Sequence, residues 1–407
     1  MLSERMKQVG MSPTMKGTME AEKLRRQGVD VVDLGAGEPD FPTPAHITEA
    51  AHAALNRNFT KYTANAGVAE LREAVAARYR DDYDVSYDAK DVILSAGGKQ
   101  ALYNTAMALF GPGDEVITHA PGWPTLVEQI KLAGARPVIV RTDPEKGFRL
   151  EAERLLAAEH HATKGIDINS PGNPTGALMS EDDARMLADA AAKHGFWIVV
   201  DLCYEKLIYD DQPHNLPKAL TGSARDRVVL TGSVSKAYAM TGWRCGWAIG
   251  PTALVQACNA LQSHSTSNVN SITQLAAIAA LTGPQDCVAE MRAEYKRRRD
   301  QVLAWLAEDA RLQCPTPPGA FYLFPSVSEF LSPAGLRTSQ DVTDRLLADS
   351  HVILTPGEAF DAPGFVRISY ANSIDKLREG VTRMMTFLRT HEPRDNVAGT
   401  ARAQARP

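Results

Sequence analysis

The sequence predicts an α/β fold in which a largely parallel sheet is wrapped by helices. Short β-branched apolar runs alternate with helix-length segments between about residues 90 and 250, the order that gives parallel strands joined by helical crossovers. Several of these runs end in loops of glycine, proline and polar residues. Because open α/β sheets bind ligands beyond the carboxyl ends of their strands, a functional site is expected at these loops.

Composition limits the class of protein. The chain has 407 residues, of which 44% are hydrophobic and 23% are charged, and this fits a globular protein of two domains. The net charge of -5 provides no basic surface for nucleic acid. The charged N-terminal segment is unlike a signal peptide, and no apolar run of about 18 residues occurs. We therefore expect a cytoplasmic protein that binds neither nucleic acid nor membrane.

The cysteines and histidines indicate neither disulfides nor a metal site. No two cysteines form a CxxC pair, and no HExxH pattern is present, so reduced structural thiols are expected. The five cysteines are Cys203, Cys245, Cys258, Cys287 and Cys314.

The N-terminal region is predicted to form a helix and a strand. Residues 1–30 have the pattern of an amphipathic, charged helix that ends at Gly28. Apolar alternation over 29–34 predicts a strand that leads into a loop at Gly37, where the missing side chain would let backbone amides approach a ligand. A plain turn explains Gly37 equally well.

Two helices are predicted next, over 46–57 and 68–80, from their helical apolar spacing. The loop between them carries Tyr62, an aromatic residue with a hydrogen-bond donor at its tip. Most such tyrosines are amphipathic surface residues, so a ligand role for Tyr62 is the less common alternative.

A glycine-rich turn containing Gly98 and Lys99 connects a predicted strand at 91–94 to a predicted helix at 101–110. Free amides at a helix start form an anion site, which the helix dipole reinforces. The turn matches neither the Walker A motif nor GxGxxG. It is therefore predicted to be a phosphate cradle on physical grounds alone.

Two further predicted strands end in loops with candidate ligand residues. The strand at 113–118 leads to Trp123, which could form a flat wall for an aromatic ligand or close the edge of the core. The strand at 165–168 leads to the loop 169–176, where two prolines and two glycines would hold the amide of Asn173 rigidly.

The strand predicted at 195–201 is the clearest buried run, and it ends in Asp201. A carboxylate beside a buried strand is costly unless a cation from the protein or a ligand pairs with it. Asp201 is therefore predicted to be functional. Tyr204 follows three residues later.

Lys236 follows a predicted strand at 227–231 and lies among small residues that include Ser233 and Ser235. Loss of hydration in such a pocket would lower the pKa of the lysine, and the neutral amine could form a Schiff base with a carbonyl. Arg244, eight positions on, presents a planar fork of donors suited to phosphate. Considered singly, either cation could be a surface residue near a turn.

The C-terminal third is predicted to contain three more helices and three more strands. Arg367 lies inside an apolar strand and would need an anion partner if it were buried. The polar segment 391–407 is predicted to be disordered. The helices are expected at 265–281, 290–309 and 341–349, and the strands at 315–325, 351–354 and 365–370.

The candidate residues form a chemically coherent set. They comprise a Schiff-base lysine, a phosphate cradle with an arginine and serines, a flat aromatic ring, an aspartate, a tyrosine and a second arginine. A phosphorylated aromatic aldehyde whose ring nitrogen can carry positive charge requires such a set, and pyridoxal 5'-phosphate is that molecule.

In these motifs the chain resembles the class I pyridoxal-phosphate-dependent aminotransferases of fold type I, in particular the bacterial aspartate aminotransferase-like branch. The similarity extends from about residue 5 to about residue 390. The motifs that carry it are AGEPDF (36–41), KYTANAG (61–67), GGKQAL (97–102), NSPGNPTG (169–176), DxxY (201–204), SVSKAYAMTGWR (233–244), GAFY (319–322) and VRISYA (366–371).

The resemblance implies a large cofactor-binding domain with a mostly parallel seven-stranded sheet, together with a smaller α+β domain. It also implies a homodimer with shared active sites. The expected boundaries are an N-terminal arm with part of the small domain at 1–44, the large domain at 45–285, the small domain at 286–392 and a disordered tail at 393–407.

The resemblance also implies roles for single residues. As catalytic residues, Lys236 would carry the cofactor as a Schiff base, Asp201 would pair with the pyridine nitrogen and Tyr204 would hydrogen-bond the ring oxygen. The other implied cofactor contacts are Gly98, Lys99, Trp123, Asn173, Ser233, Ser235, Arg244 and, across a dimer interface, Tyr62, and the implied substrate contacts are Gly37, Trp123, Asn173 and Arg367.

The implied activity is a ping-pong transfer of an amino group between an L-amino acid and a 2-oxo acid, with 2-oxoglutarate and glutamate as the expected pair. The donor stays open among aspartate, aromatic and neutral amino acids, because Gly10 falls near the position where acidic-substrate members place a lysine. Two departures from the family pattern, Gly172 and the Leu-Cys pair after Asp201, remove no catalytic group.

Three alternatives use the same fold. A β-lyase would share the deprotonation at Cα. A ligand-sensing domain of a transcription regulator would need a DNA-binding module, for which residues 1–30 are too short. A catalytically silent subunit is disfavoured because Lys236, Asp201 and Arg367 are all present.

Overall fold

The computed structural model describes Met6, Gly10, residues 13–332 and residues 335–391. Within these ranges the chain forms thirteen α-helices and twelve β-strands. The helices are α1 (Pro13–Arg26), α2 (Ala45–Asn56), α3 (Ala69–Tyr83), α4 (Gly98–Leu109), α5 (Pro124–Leu132), α6 (Ala152–Leu156), α7 (Glu181–His194), α8 (Leu216–Ala224), α9 (Thr252–Ser263), α10 (Ser271–Thr282), α11 (Asp286–Leu306), α12 (Ser339–Ser350) and α13 (Ile374–Thr390). The strands are β1 (Val32–Asp33), β2 (Val92–Ser95), β3 (Glu115–Ala120), β4 (Arg136–Arg141), β5 (Thr163–Asn169), β6 (Trp197–Asp201), β7 (Val228–Ser233), β8 (Gly246–Ile249), β9 (Tyr322–Leu323), β10 (Val352–Ile353), β11 (Thr355–Pro356) and β12 (Val366–Ser369).

Seven of the strands form one sheet in the order β2-β8-β7-β6-β5-β3-β4. Strand β8 runs antiparallel to both of its neighbours, β2 and β7, whereas the other pairings are parallel. The prediction of a mostly parallel seven-stranded sheet is confirmed. Because the remaining six strands point the same way, the loops that follow β2, β3, β5, β6 and β7 open at one edge of the sheet.

Apolar side chains cover both faces of this sheet. On one face Ile166, Ile198 and Leu230 come from three adjacent strands and are fully buried in a cluster with residues of α3, α7, α8 and α10. On the other face Val199 and Val229 belong to a cluster with α4, α5 and α9. Full burial of one such side chain stabilises the fold by about 1.5–3 kcal/mol. The central strands therefore give the loops at their carboxyl ends a rigid base.

The chain divides into two compact units. One comprises Glu38–Arg297 and Pro317–Tyr322 and contains the seven-stranded sheet. The other comprises Pro13–Gly37, Arg298–Thr316 and the described residues from Leu323 onward. The domain boundaries expected from the sequence stay a prediction. Across the described part of the chain, none of the helices combines the length and apolar character needed to span a bilayer.

In the second unit, helix α13 packs closely on strand β1. Strand β1 pairs in parallel with β10, with Val32 opposite Val352. A Cβ atom at Gly380 of α13 would lie 2.6 Å from Leu34 Cδ1 and 3.0 Å from Val32 Cγ1. A glycine in the middle of a helix normally destabilises it, and this close approach explains its presence here.

The structure corrects two boundaries near the ends of predicted elements. The helix expected over 1–30 is observed as α1, and Gly28 follows it with a positive φ of 82°; residues 1–5, 7–9 and 11–12 lie outside the described residues. The helix expected at 265–281 begins only with α10, because the Asn270 side chain accepts a hydrogen bond from the Thr273 N–H and caps it there.

Other differences concern strands and unpredicted elements. The strands expected at 29–34 and 315–325 are limited to β1 and β9, the second because prolines in that segment have no N–H to donate. Helices α5, α8, α9 and α13 and strands β8 and β11 were not predicted. The tail expected at 393–407 lies outside the described residues.

Candidate active site

Five loops with predicted site residues open at the carboxyl edge of the seven-stranded sheet. Each loop follows one strand, so the sheet determines where its side chains start. Gly98 and Lys99 follow β2, Trp123 follows β3, and Asn173 follows β5. Asp201 ends β6 and is followed by Tyr204, and Ser233 ends β7 and is followed by Ser235 and Lys236.

The turn that was predicted to be a phosphate cradle lies at the start of α4. The helix begins at Gly98, after Gly97 with φ at 85°, and its first amide groups have no partner within the helix. A Cβ atom at Gly97 would lie 2.5 Å from Arg244 Nη2, and one at Gly98 would lie 3.7 Å from Ser233 Cβ. The α4 amides, Arg244 and Ser233 are therefore brought together around a position that glycine leaves accessible.

Positive charge is concentrated at this cradle. Arg244 donates through Nη1 to Thr241 O at 2.9 Å and through Nη2 to Ala96 O at 3.2 Å, which fixes the guanidinium against the turn. Burial lowers the pKa of Lys99, and the neighbouring charge of Arg244 lowers it further. Two adjacent cations and a helix N-terminus favour a multiply charged anion such as phosphate.

Trp123 lies next to the same cradle. It is the N-cap residue of α5 and is half-buried. Lys99 Nζ lies 5.0 Å from the centroid of its ring, which is a cation–π distance. The flat aromatic surface predicted from the sequence is therefore adjacent to the phosphate cradle.

Asp201 ends β6 and is 2% exposed. The N–H of Cys203 donates to its Oδ1 at 3.0 Å. Burial raises the pKa of this carboxyl group to about 6, whereas hydrogen bonds from Cys203 and the charge of Lys236 oppose that rise. The carboxyl group is therefore mostly ionised at neutral pH, and a buried carboxylate favours a cationic partner.

A buried histidine that has no predicted role supports the end of β6. His119 Nδ1 lies 2.9 Å from Pro121 O, and its Nε2 accepts from the Asn169 N–H at 3.3 Å. Asn169 Nδ2 in turn donates to Asp201 O at 3.1 Å. Burial lowers the pKa of His119 to about 4, so the ring is neutral at pH 7 and carries its proton on Nδ1. A lone histidine at a strand end gave no sequence signal for this contact.

Lys236 lies against a wall of aromatic rings. Its Nζ is 5.8 Å from the ring centroid of Tyr204 and 5.7 Å from that of Phe321. The Tyr204 hydroxyl is 2.8 Å from the hydroxyl of Tyr322, 118 residues along the chain. The three rings are buried. Phe321 and Tyr322 belong to the GAFY motif, but the sequence gave no role for either residue because their contacts are non-local.

Asn173 is fixed in its loop and is 7% exposed. Its N–H donates to Asn169 Oδ1 at 2.8 Å. Ser170 Oγ lies 3.0 Å from His214 Nε2 and accepts from the Met179 N–H at 3.0 Å. These bonds tie the loop to its surroundings at the carboxyl end of β5, where Asn173 lies.

Arg367 belongs to the second unit, where it lies in β12 and is 2% exposed. Its Nη2 donates to Gly35 O at 2.6 Å and to Thr355 Oγ1 at 3.3 Å. The guanidinium carbon lies 5.1 Å from the ring centroid of Phe360. Gly37 follows Gly35 by two residues in the same unit. Gly37, one of the predicted substrate contacts, is therefore two residues from the backbone group to which Arg367, another predicted substrate contact, donates.

Tyr62 is not gathered with the other predicted residues within the single chain. It is 90% exposed. It borders a surface groove of about 480 Å³, which is also lined by Lys61, Thr266 and Asn268. Within one chain Tyr62 therefore lies on the surface.

Known proteins resemble this chain along nearly its whole length. A family model described as aminotransferase class I and II matches residues 29–384. An aspartate aminotransferase of Bacillus subtilis is 39% identical over 390 residues, which cover 96% of this chain and 99% of that protein. An aspartate/prephenate aminotransferase of Cereibacter sphaeroides is 41% identical over 392 residues, which cover 95% of this chain and 98% of that protein.

Solved structures share the fold as well. The aspartate aminotransferase of Thermus thermophilus with maleate superposes with a TM-score of 0.89 at 39% sequence identity, covering 96% of this chain and 99% of that chain. The aspartate aminotransferase of Rhizobium meliloti superposes with a TM-score of 0.90, also at 39% identity.

Proposed function

The chain belongs to the aminotransferase class I and II family and is a pyridoxal-phosphate-dependent aminotransferase, and from this premise we propose that it transfers the amino group of L-aspartate to 2-oxoglutarate. Relatives of 39% and 41% identity are named aspartate aminotransferases, which supports aspartate as donor. The position of the α4 turn, Asp201 and Lys236 at one edge of the sheet supports the cofactor chemistry, and the observation that carries the choice of aspartate is the name shared by these relatives.

The residues at this edge fit the parts of pyridoxal phosphate. The α4 amides, Arg244 and Ser233 suit its phosphate, because they combine a helix N-terminus with a fixed guanidinium. The buried carboxylate of Asp201 suits a ring nitrogen that carries positive charge. Trp123 offers a flat surface to the ring of pyridoxal phosphate. We assign Lys99 and Ser235 to the phosphate side of the site.

When bound, pyridoxal phosphate supplies the aldehyde that takes up the amino group and a ring that accepts the electrons released at the substrate Cα. Asp201 would keep the proton on the ring nitrogen, since opposite charges about 4 Å apart attract by roughly 4 kcal/mol at an effective dielectric near 20. Lys236 Nζ would remove the proton from the substrate Cα and deliver it to the former aldehyde carbon of the cofactor. The Tyr204 hydroxyl would donate to the ring oxygen, and Tyr322, whose hydroxyl is 2.8 Å away, would orient it.

For the α-carboxylate of the substrate we propose Arg367, with Gly37 and Asn173 as further contacts. The support is that Arg367 is buried and that its guanidinium is fixed by Gly35 and Thr355. A fixed, planar guanidinium binds a carboxylate with little loss of side-chain entropy.

We propose a homodimer in which Tyr62 reaches the phosphate of the partner's cofactor. The exposure of Tyr62 and the groove beside it support a protein contact on this surface, because large exposed aromatic side chains are typical of interfaces. We also propose a cytoplasmic location, a compartment in which the free cysteines stay reduced.

The proposed function is tested with purified protein loaded with pyridoxal phosphate. Aspartate and 2-oxoglutarate should yield glutamate and oxaloacetate, and aromatic and neutral donors should react more slowly. Borohydride treatment followed by peptide mapping should label Lys236, and Lys236→Ala should abolish both the label and turnover. Release of ammonia and pyruvate from an amino acid that carries a leaving group on Cβ, such as L-serine, without amino-group transfer would instead identify a β-lyase. A label on another residue would refute the role of Lys236.

A further inference from the structure

The turn that carries Lys236 is tied to a distant part of the sequence by Thr43. This turn spans residues 235–239, and the Ala239 N–H donates to Lys236 O at 3.4 Å. Ala239 has a φ of 49°, a left-handed conformation that residues other than glycine rarely adopt. The Thr43 hydroxyl donates to the carbonyl oxygen of Ala239 at 2.7 Å, across 196 positions of the chain. The end of the lysine turn is therefore held by a side chain from outside it.

Trp243 determines the direction of the Thr43 hydroxyl. Its Nε1–H donates to Thr43 Oγ1 at 3.0 Å. A hydroxyl has one proton and can accept at the same oxygen, so the Thr43 proton is available for Ala239 O while a lone pair takes the bond from Trp243. Thr43 is thus bonded to both ends of the stretch 239–243, which lies between Lys236 and Arg244.

A second side chain from the same part of the chain contacts this stretch. The Thr241 hydroxyl donates to Glu38 Oε2 at 2.9 Å. Glu38 is exposed, whereas Thr43 is partly buried, so the bonds of Thr43 are better shielded from water and contribute more. The segment 38–43 therefore lies along the stretch 239–243, and Thr43 provides its more shielded contact.

We propose that Thr43 is a positioning residue for Lys236, because its hydroxyl closes the turn from which the lysine amine reaches the cofactor aldehyde. The amine adds to the aldehyde carbon and water leaves, and this step is faster when the amine is already held in the correct place. The inference rests on the proposed role of Lys236. It predicts that loss of the hydroxyl slows formation of the link to Lys236 and leaves the other cofactor contacts intact.

The experiment compares two forms of the cofactor on full-length, cofactor-free protein. Pyridoxal phosphate can form the link to Lys236, whereas pyridoxamine phosphate has an amine in place of the aldehyde and binds through the remaining contacts only. For wild type, Thr43→Val and Thr43→Ser, borohydride trapping at successive times gives the rate at which Lys236 is labelled. Tryptophan fluorescence gives the dissociation constant of pyridoxamine phosphate. The matched control is Thr48→Val, which removes a hydroxyl bonded to Ala45 O at 2.8 Å within α2.

Thr43→Val keeps the shape of the side chain and should slow labelling of Lys236 about three- to tenfold, the factor that corresponds to one hydrogen bond. Its affinity for pyridoxamine phosphate should equal that of the wild type. Thr43→Ser, which keeps a hydroxyl, and Thr48→Val should follow the wild type in both measurements. Trp243→Phe, which loses the donor that directs the hydroxyl, should slow labelling by a smaller factor and keeps the test valid if Thr43→Val does not fold.

Three results would overturn the inference. They are labelling of Thr43→Val or Trp243→Phe at the wild-type rate, a Thr43→Ser protein as slow as Thr43→Val, and an equal loss of affinity for both forms of the cofactor. The last would show that the hydroxyl supports the site as a whole and not the lysine turn. A wild type that takes up no cofactor, or that is labelled at another residue, would instead refute the proposed function.

Discussion

At the residue scale, Asp201 is a buried carboxyl group whose ionisation at neutral pH lowers the stability of the cofactor-free protein. Folding raises the pKa of Asp201 from 3.8 to about 6, so the folded chain binds this proton more tightly than the unfolded chain does. In the cofactor-free protein, the resulting stabilisation is fully present below about pH 4 and is lost as the pH rises through about 6. At neutral pH the empty site therefore contains a carboxylate that the fold disfavours.

The substitution Asp201→Asn should stabilise the cofactor-free protein at pH 7 and weaken cofactor binding. An amide has the same shape and can still accept the Cys203 N–H, but it carries no charge to bury. The pKa difference corresponds to a gain on the order of 2–3 kcal/mol in the free energy of unfolding. Thermal unfolding of both cofactor-free proteins at about pH 4 and pH 7 checks this, since the difference should disappear at the lower pH. A wild type that is the more stable protein at pH 7 would contradict it.

At the element scale, Gly97 meets two requirements at the start of α4: it adopts a positive φ, and it leaves room for the Arg244 guanidinium. The substitution Gly97→Ala should weaken pyridoxal phosphate binding at least tenfold, because its Cβ atom would meet Arg244 Nη2 at 2.5 Å and displace the guanidinium. Loss of one hydrogen bond from this guanidinium to the phosphate, worth about 1.5–3 kcal/mol, corresponds to such a factor. The measurement is the dissociation constant by fluorescence titration.

Gly113→Ala is the matched control for that substitution. Gly113 has a similar positive φ of 95°, but a Cβ atom there meets nothing within 4 Å. It should lower stability through its backbone conformation alone, by about 1 kcal/mol, and leave cofactor affinity unchanged. If both variants lost affinity equally, backbone strain rather than Arg244 would be the cause.

The contact between α13 and β1 makes a second element-scale prediction. Gly380→Ala should lower the free energy of unfolding by about 1–3 kcal/mol, because its Cβ atom would overlap Leu34. Gly222→Ala in α8, where nothing lies within 4 Å, should raise it by about 0.5–1 kcal/mol through helix propensity alone. Denaturant unfolding of the two variants compares them directly, and a stabilised Gly380→Ala would show that the helix can move away from the strand.

The same scale shows what the sequence could and could not predict. Lys236, Asp201 and the α4 turn were found because each follows a recognisable strand and is surrounded by residues that favour a ligand. The bond between Tyr204 and Tyr322 joins residues 118 positions apart, so no local pattern reveals it. The start of α10 was placed too early because Ser265, Thr266 and Asn270 are all residue types that cap a helix, and only the structure shows that Asn270 is the cap.

At the scale of the whole molecule, the proposed dimer would make each site depend on two chains. If Tyr62 acts in the partner's site, Tyr62→Ala and Lys236→Ala chains should both be impaired alone. A hybrid dimer contains one site with native Lys236 that receives Tyr62 from the other chain, so mixing the two variants through a denaturation and refolding step should restore activity. Activity of the mixture equal to the average of the two separate variants would show that Tyr62 does not act across the interface.

The antiparallel direction of β8 has a consequence for how the protein can change. Since β7 leads to the edge where ligands bind and β8 leads away from it, the stretch 234–245 leaves and re-enters the sheet at the same place. Lys236 and Arg244 thus lie on one connection between β7 and β8, and an insertion in it would change the positions of the proposed Schiff-base lysine and the proposed phosphate contact relative to each other. We expect natural variants and designed libraries to keep the number of residues in this stretch constant, even where they tolerate length changes in the loops at the opposite edge.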